Sequence, residues 1–208
     1  MASTGTESSG SVEPDESERQ PRRLRADAQR NVAALLEAAK NVFATSGVDA
    51  PAKEITDLAG VGIGTLYRHF PRRSELVAAV MQREIDACAD AGPALSAANE
   101  PTAALTKWLY RFTEFVGTKR GLATALHSGD PAFDALPGYF TQRLEPVLES
   151  LLAAATATGE IRNDVTAKDL IHSVALLCRP VSGEELAYNQ RMVAVFVDGL
   201  RRTGIRQS

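Results

Sequence analysis

Cysteine is scarce in this chain: Cys88 and Cys178 are the two present in 208 residues, far apart and outside any CxxC spacing. That pattern does not favour a disulfide or a redox sensor, and two free thiols buried in a reducing cytoplasm are expected. Aromatic residues are also few, at 6% of the chain with a single tryptophan. No stretch alternates apolar and polar residues as a half-buried strand does, so sheet is not expected. No apolar run approaches the roughly 20 residues of a membrane span, and the first twenty residues are polar and acidic, unlike a signal peptide. A soluble, cytoplasmic protein with no membrane partner is the expectation. Catalytic patterns are missing as well, since GxSxG, the P-loop and the dinucleotide glycine fingerprint do not occur. The histidines His69, His127 and His172 are scattered, without partners at metal-ligand spacing. No enzyme activity, cofactor or metal is therefore expected.

Hydrophobic residues make up 44% of the chain, enough to bury a sizeable core, and alanine is abundant. Alanine has the highest helix propensity, so the composition favours an all-α fold. The formal net charge of −3 argues on average against a nucleic-acid partner. The average hides a division, because from Arg22 to Arg73 there are nine Arg and Lys against five acids, while the rest of the chain is acidic. A basic module on an acidic protein is the electrostatic footprint of a DNA binder.

Within that module the run Ala52 to Phe70, AKEITDLAGVGIGTLYRHF, reads as a helix-turn-helix. Ile55 and Ala59 lie four apart on one apolar stripe, Gly60 supplies a turn that wants positive φ, and Val61 and Leu66 give the facing core of a second short helix. Gly62, Ile63, Thr65, Tyr67, Arg68 and His69 are left pointing outward, and none is acidic. Such a face meets base edges and phosphates without like-charge repulsion. An earlier helix is expected from an Asp27 cap, with Val32, Leu35, Leu36, Ala39, Val42 and Phe43 at helical spacing until Ser46 and Gly47. Phe43 and Phe70 are expected to close a three-helix core from opposite sides, with Pro51 opening the second helix and Pro71 ending the third. Ahead of it, Met1 to about Gln20 has almost nothing to bury and is expected to be disordered. The PRRLR run that follows is open to two readings, an arm for the minor groove or backbone of DNA and a solvated basic linker.

The run GVGIGTLYRHFPRRSEL, preceded by LLEAAKNVFATSG, resembles the N-terminal domain of the TetR family of bacterial transcriptional repressors, over roughly residues 30 to 80. The loop GVDAP matches only the shorter loops of that family. Family members usually have a Ser or Thr cap where Arg72 stands, so a side-chain cap of about 1 kcal/mol is given up for a second cation. The resemblance implies a DNA-backbone contact at Arg73. Together with the reading of the residues it gives a DNA interface of Lys53, Gly62, Ile63, Thr65, Tyr67, Arg68, His69, Arg72 and Arg73. Thr65 and the Gly62-Ile63 segment approach the bases, and Tyr67, His69, Lys53 and Arg73 grip phosphates.

Beyond this head a fourth helix is expected from Arg73 to Ala91, broken at Gly92-Pro93, then five further helices: Thr102 to Val116, Lys119 to His127, Phe140 to Thr156, Ala167 to Cys178 and Glu184 to Arg202. The expected organisation is a tail over 1–21, a DNA-binding domain over 22–72 and a helical effector-binding and dimerisation domain over 73–208. Bundles place ligand sites between facing helices, and Trp108, Tyr110, Phe112, Phe115, His127, Phe140 and His172 are the pocket candidates, each also readable as core or surface. The last two helices carry more apolar surface than one core needs, and the resemblance implies that they pair two copies as a four-helix bundle. A homodimer puts two reading helices in successive major grooves, about 34 Å apart. The resemblance thus implies a homodimeric repressor on a palindromic operator in double-stranded DNA, released by a small-molecule effector. A transcriptional activator, or a helical ligand-binding protein without an operator, stays open at this point.

Overall fold

The computed structural model describes residues 16–179 and 186–202, with side chains from Ala26 onward apart from residues 120 and 121. Its helices are α1 (Glu16–Ser46), α2 (Ala52–Ala59), α3 (Ile63–His69), α4 (Arg73–Ala98), α5 (Pro101–Gly121), α6 (Ala123–Leu126), α7 (Leu136–Ala157), α8 (Ala167–Leu177) and α9 (Leu186–Leu200), with a 3-10 turn at Pro131–Phe133. Among the described residues the sole β pairing is an isolated antiparallel bridge between Ile161 and Arg201. There the Arg162 N–H donates to the Leu200 carbonyl (2.9 Å) and the Arg202 N–H to the Glu160 carbonyl (2.8 Å), pinning the end of α9 to the loop after α7. The all-α expectation holds.

Helices α1 to α3 form the amino-terminal head. Leu35, Ala39 and Phe43 of α1 meet Ile55 of α2, Leu66 of α3 and Phe70, and each is buried. Burying an aromatic or leucine side chain contributes roughly 1.5–3 kcal/mol, so these few residues hold α2 and α3, two short helices that would not persist alone, against the longer α1. Two boundaries differ from expectation. Helix α1 starts at Glu16, so 16–20 are not part of a disordered tail, PRRLR is helical, and Asp27 lies inside the helix. Its carboxylate pairs with Arg30 instead of capping. The Glu, Arg, Gln and Ala content of this stretch has good helix propensity and simply extends the amphipathic run. The remainder of the expected tail, 1–15, lies outside the described residues.

Helix α4 joins the head to the body. It packs on α1 at one side and on α5 and α7 at the other, and buries Leu76, Val77, Val80, Met81, Ile85 and Cys88. The break expected at Gly92-Pro93 does not occur, because α4 runs on to Ala98. Gly92 lies where α4 crosses α7, and a Cβ there would come within 2.2 Å of Val147 Cγ1. The absent side chain lets the helices close on each other, and that packing outweighs the one backbone hydrogen bond that proline removes. The fifth expected helix also lengthens, since α5 continues past Val116 to Gly121 and α6 is a separate short turn. Helix α7 starts at Leu136, four residues before Phe140. On α9, Leu186 is 42% exposed and does not join the core stripe. The start expected for this helix, Glu184, lies outside the described residues.

Candidate nucleic-acid interface and core cavities

Gly60 adopts φ 67°, ψ 31°, a left-handed cap, and this conformation turns the chain between α2 and α3. Its N–H donates to the Asp57 carbonyl (3.3 Å) and the Val61 N–H to the Thr56 carbonyl (3.1 Å), which closes the end of α2. Thr56 is buried between the helices and its hydroxyl donates to the Lys53 carbonyl (3.1 Å), so a β-branched residue is accommodated at the crossing. With Leu66 turned inward, the opposite face of α3 is open. Ile63 is 48% and Tyr67 52% exposed, Gly62, Gly64, Arg68 and His69 are exposed, and Thr65 is half-buried. Two large apolar or amphipathic side chains held in water on a seven-residue helix serve no packing need of the head itself. Arg68 makes no ion pair among the described residues, so its charge is unspent.

The flanking cations are less free than the sequence suggests. Lys53 Nζ bonds the Asp57 carboxylate at 3.0 and 2.7 Å on the exposed side of α2. Arg72 gives no side-chain cap to α4; the Glu75 carboxylate accepts from the Arg72 N–H (3.2 Å) and from its Nε (2.9 Å). Those contacts raise the Arg72 pKa and lower that of Glu75. Arg73 is half-buried, donating from Nη1 to the Val48 carbonyl (2.6 Å), with its guanidinium 5.9 Å from the Phe43 ring centre. It ties the loop after α1 to the start of α4 before any DNA is present.

In the body, two adjoining cavities open between α4, α5, α7 and α8. One, of about 410 Å³, is walled by Met81 and Ile85 of α4, Phe133 of the 3-10 turn, and Leu136 and Phe140 of α7. The other, of about 470 Å³, reaches Phe112 and Val116 of α5 and Ile171, His172 and Arg179 beside α8. Phe115, Lys119, His127 and Phe140 line both. The rings of Phe115 and Phe140 stack at 5.6 Å between centroids, and Phe112 stacks on Phe115 at 5.7 Å.

Of the seven pocket candidates, Phe112, Phe115, His127, Phe140 and His172 therefore come together. Trp108 does not: it is fully buried, stacks on Phe112, and its indole N–H donates to the Cys88 carbonyl at 2.9 Å, which ties α5 to α4. Tyr110 is half-buried and lines neither cavity. Lys119, Phe133, Met81 and Ile85 were not foreseen. Phe133 had a signal in Asp130-Pro131, where an Asp cap and a proline at the first position start a helical turn. The Asp130 carboxylate indeed accepts from the Ala132 N–H at 2.9 Å. Lys119 had one too, four residues beyond Phe115 on the same helical stripe.

Two family descriptions match the chain. One for bacterial regulatory proteins of the tetR family matches residues 35–80, and one for the SbtR-like transcriptional regulator C-terminal domain matches residues 100–202. Among solved structures, a TetR transcriptional regulator from Streptomyces coelicolor is 35% identical with a TM-score of 0.71, covering 83% of this chain and 99% of its own. A TetR regulatory protein from Mycobacterium vanbaalenii is 36% identical with a TM-score of 0.70, covering 86% of this chain and 99% of its own. A helix-turn-helix transcriptional regulator from Staphylococcus aureus is 36% identical over 72 residues, 33% of this chain and 37% of that protein. The chain thus spans little more than a third of the length of the curated relatives it matches.

Proposed function

The chain belongs to the TetR family of bacterial transcriptional regulators, and from that premise we propose that it is a homodimeric repressor that binds a palindromic operator and leaves it when a small molecule fills the helical body. That it is a DNA-binding transcriptional regulator follows from the family itself. The observation that carries the reading of the site is the outer face of α3, non-acidic and exposed at Ile63, Tyr67, Arg68 and His69 while Leu66 anchors it from behind. Thr65 and the Gly62-Ile63 segment are assigned to the bases, and Tyr67, His69, Lys53, Arg72 and Arg73 to phosphates. Arg73 keeps that assignment as a half-buried guanidinium whose position is preset by its bond to the Val48 carbonyl.

Pairing of two copies is supported by apolar side chains in water on α8 and α9, where Leu176 is 64% and Val195 65% exposed, with Met192 and Phe196 half-buried between turns. Two-fold contact across this surface would bury them. Release by an effector is supported by shared walls: Met81 and Ile85 of α4 line a cavity whose other wall, Phe133, sits in the turn that Asp130 caps. Asp130 lies 4.0 Å from Arg72 Nη1 at the head, so a ligand that shifts Phe133 pulls on the start of α4. Such a ligand must bind the DNA-free form more tightly for any shift to occur. Selection of bound duplexes from a randomised pool at low salt, with light scattering on the free protein, tests the proposal. An enriched two-fold-symmetric sequence and a dimer mass are expected; no retained duplex, or a monomer at micromolar concentration, would overturn it.

A further inference from the structure

Resting on the effector reading above, we infer that the ligand of the helical body is an amphipathic anion: a flat apolar body seated between the phenylalanines, with a carboxylate or comparable acidic group met by Lys119. The cavity walls carry the argument. Among the described residues, those lining the two cavities include no aspartate or glutamate, whereas Lys119, Arg179, His127 and His172 all face them. In a chain with more acids than bases, a site whose described walls gather two cations and two imidazoles without one carboxylate has a defined electrostatic sign.

Lys119 differs from the ion-paired cations of the fold and, unlike the other cations without a carboxylate, lines both cavities. Lys40, Lys53, Arg72, Arg83, Arg111, Arg143 and Arg162 each have a carboxylate within 4.0 Å. Lys119 has none among the described residues, yet lines both cavities. It stands on the stripe of α5 that also carries Phe112 and Phe115, so an ammonium group rides at the rim of a stacked aromatic floor. The exposed Lys119 ammonium offers a counterpart to an acidic group at the mouth of the cavities, and the aromatic faces offer one to an apolar body. His127 adds an atom to the same rim: one ring nitrogen, Nδ1, must donate to the Ala123 carbonyl at 2.7 Å, which leaves Nε2 for a ligand polar group. Each cavity is of the size that small-molecule sites use, about 300–1,000 Å³.

Three naphthalene probes of one shape test this: 2-naphthoate as the anion, 2-naphthalenemethanol as the neutral and 2-naphthylmethylammonium as the cation. Binding to the full-length protein and to Lys119→Met would be followed by calorimetry, with circular dichroism to show that the exposed substitution leaves the fold intact. The anion is expected to bind at least tenfold more tightly than the neutral probe, with the cation weakest. Lys119→Met should cost the anion about tenfold and leave the alcohol unchanged. Lys119→Glu should reverse the order of anion and cation. Equal binding of all three, binding of none, or an unchanged naphthoate affinity in Lys119→Met would overturn the inference. Retention of duplex DNA, measured in the same samples, separates this from the broader reading. DNA retained with no preference for the anion removes only the ligand class, whereas anion binding that never loosens DNA removes the effector role and leaves the ligand class standing.

Discussion

Replacing Gly64 by alanine should make the protein more stable and a worse DNA binder. Gly64 occupies the second position of α3, is absent from the glycines with positive φ, and a Cβ built on it meets nothing within 4 Å. The folded protein therefore accepts the methyl group without strain. The unfolded chain loses conformational freedom, so stability should rise by about 0.4–1 kcal/mol. For a chain of this size that is roughly 1–4 °C in Tm. DNA bound across this face sees the opposite. An α-helix with its side chains is about 10–12 Å across and the major groove about 12 Å wide, which leaves little slack for a methyl group on the approaching surface. A loss of about 1–3 kcal/mol, or roughly 5- to 150-fold in Kd, is expected. Gly138→Ala on α7 is the control, because its Cβ is equally unobstructed and lies in the body. Thermal melts and titration of a selected duplex at one salt concentration give both numbers. If Gly64→Ala gains stability and keeps full affinity, α3 does not approach the bases with this face and the reading helix is misassigned.

Asp57→Asn should free Lys53 from its carboxylate partner, tightening binding at low salt and steepening the salt dependence by about one unit, read from titrations across salt concentrations. Lys40 and the almost buried Glu84 join α1 to α4 at 2.8 Å. Lys40→Met should cost about 3–5 kcal/mol by stranding the Glu84 charge, and Lys40→Met with Glu84→Leu should recover most of it, as urea midpoints will show. If the double variant is no better than the single, the stranded charge is not the cause. Burial pushes the Cys88 thiol up to about 12, so at pH 8 the folded protein should leave it unmodified by thiol reagents, with modification on denaturation, as mass mapping will report. The sign follows from the raised folded value: its contribution to stability is complete below the unfolded pKa of about 8.5 and fades as pH climbs from there to about 12.

The helix-turn-helix was legible because local chemistry fixes it. Gly60 must be left-handed, Ile55 and Leu66 must be inside, and no long-range contact competes. The start of α4 at Arg73 was legible for the same reason. What escaped depends on partners distant in sequence. Gly92-Pro93 looks like a stop until Val147 is known to lie against it. Trp108 looks like a pocket wall until the Cys88 carbonyl is found on its indole nitrogen. Arg73 reads as a free cation until Val48 is seen to hold it. Periodicity names the face of a helix that turns inward but not what waits opposite.

Helix α4 also sets a rule for anyone who would graft this reading head onto another sensor. It is one continuous rod from Arg73 to Ala98, with its first turn stitched to the head through Arg73 and Val48. Farther along, Arg83 is bonded to Ala33 and Glu37 of α1, and Met81 and Ile85 form a cavity wall. Each residue inserted at a splice within it turns everything downstream by about 100°. A chimera one residue out of phase would therefore keep two intact halves that no longer communicate, and the splice has to preserve helical phase as strictly as it preserves sequence.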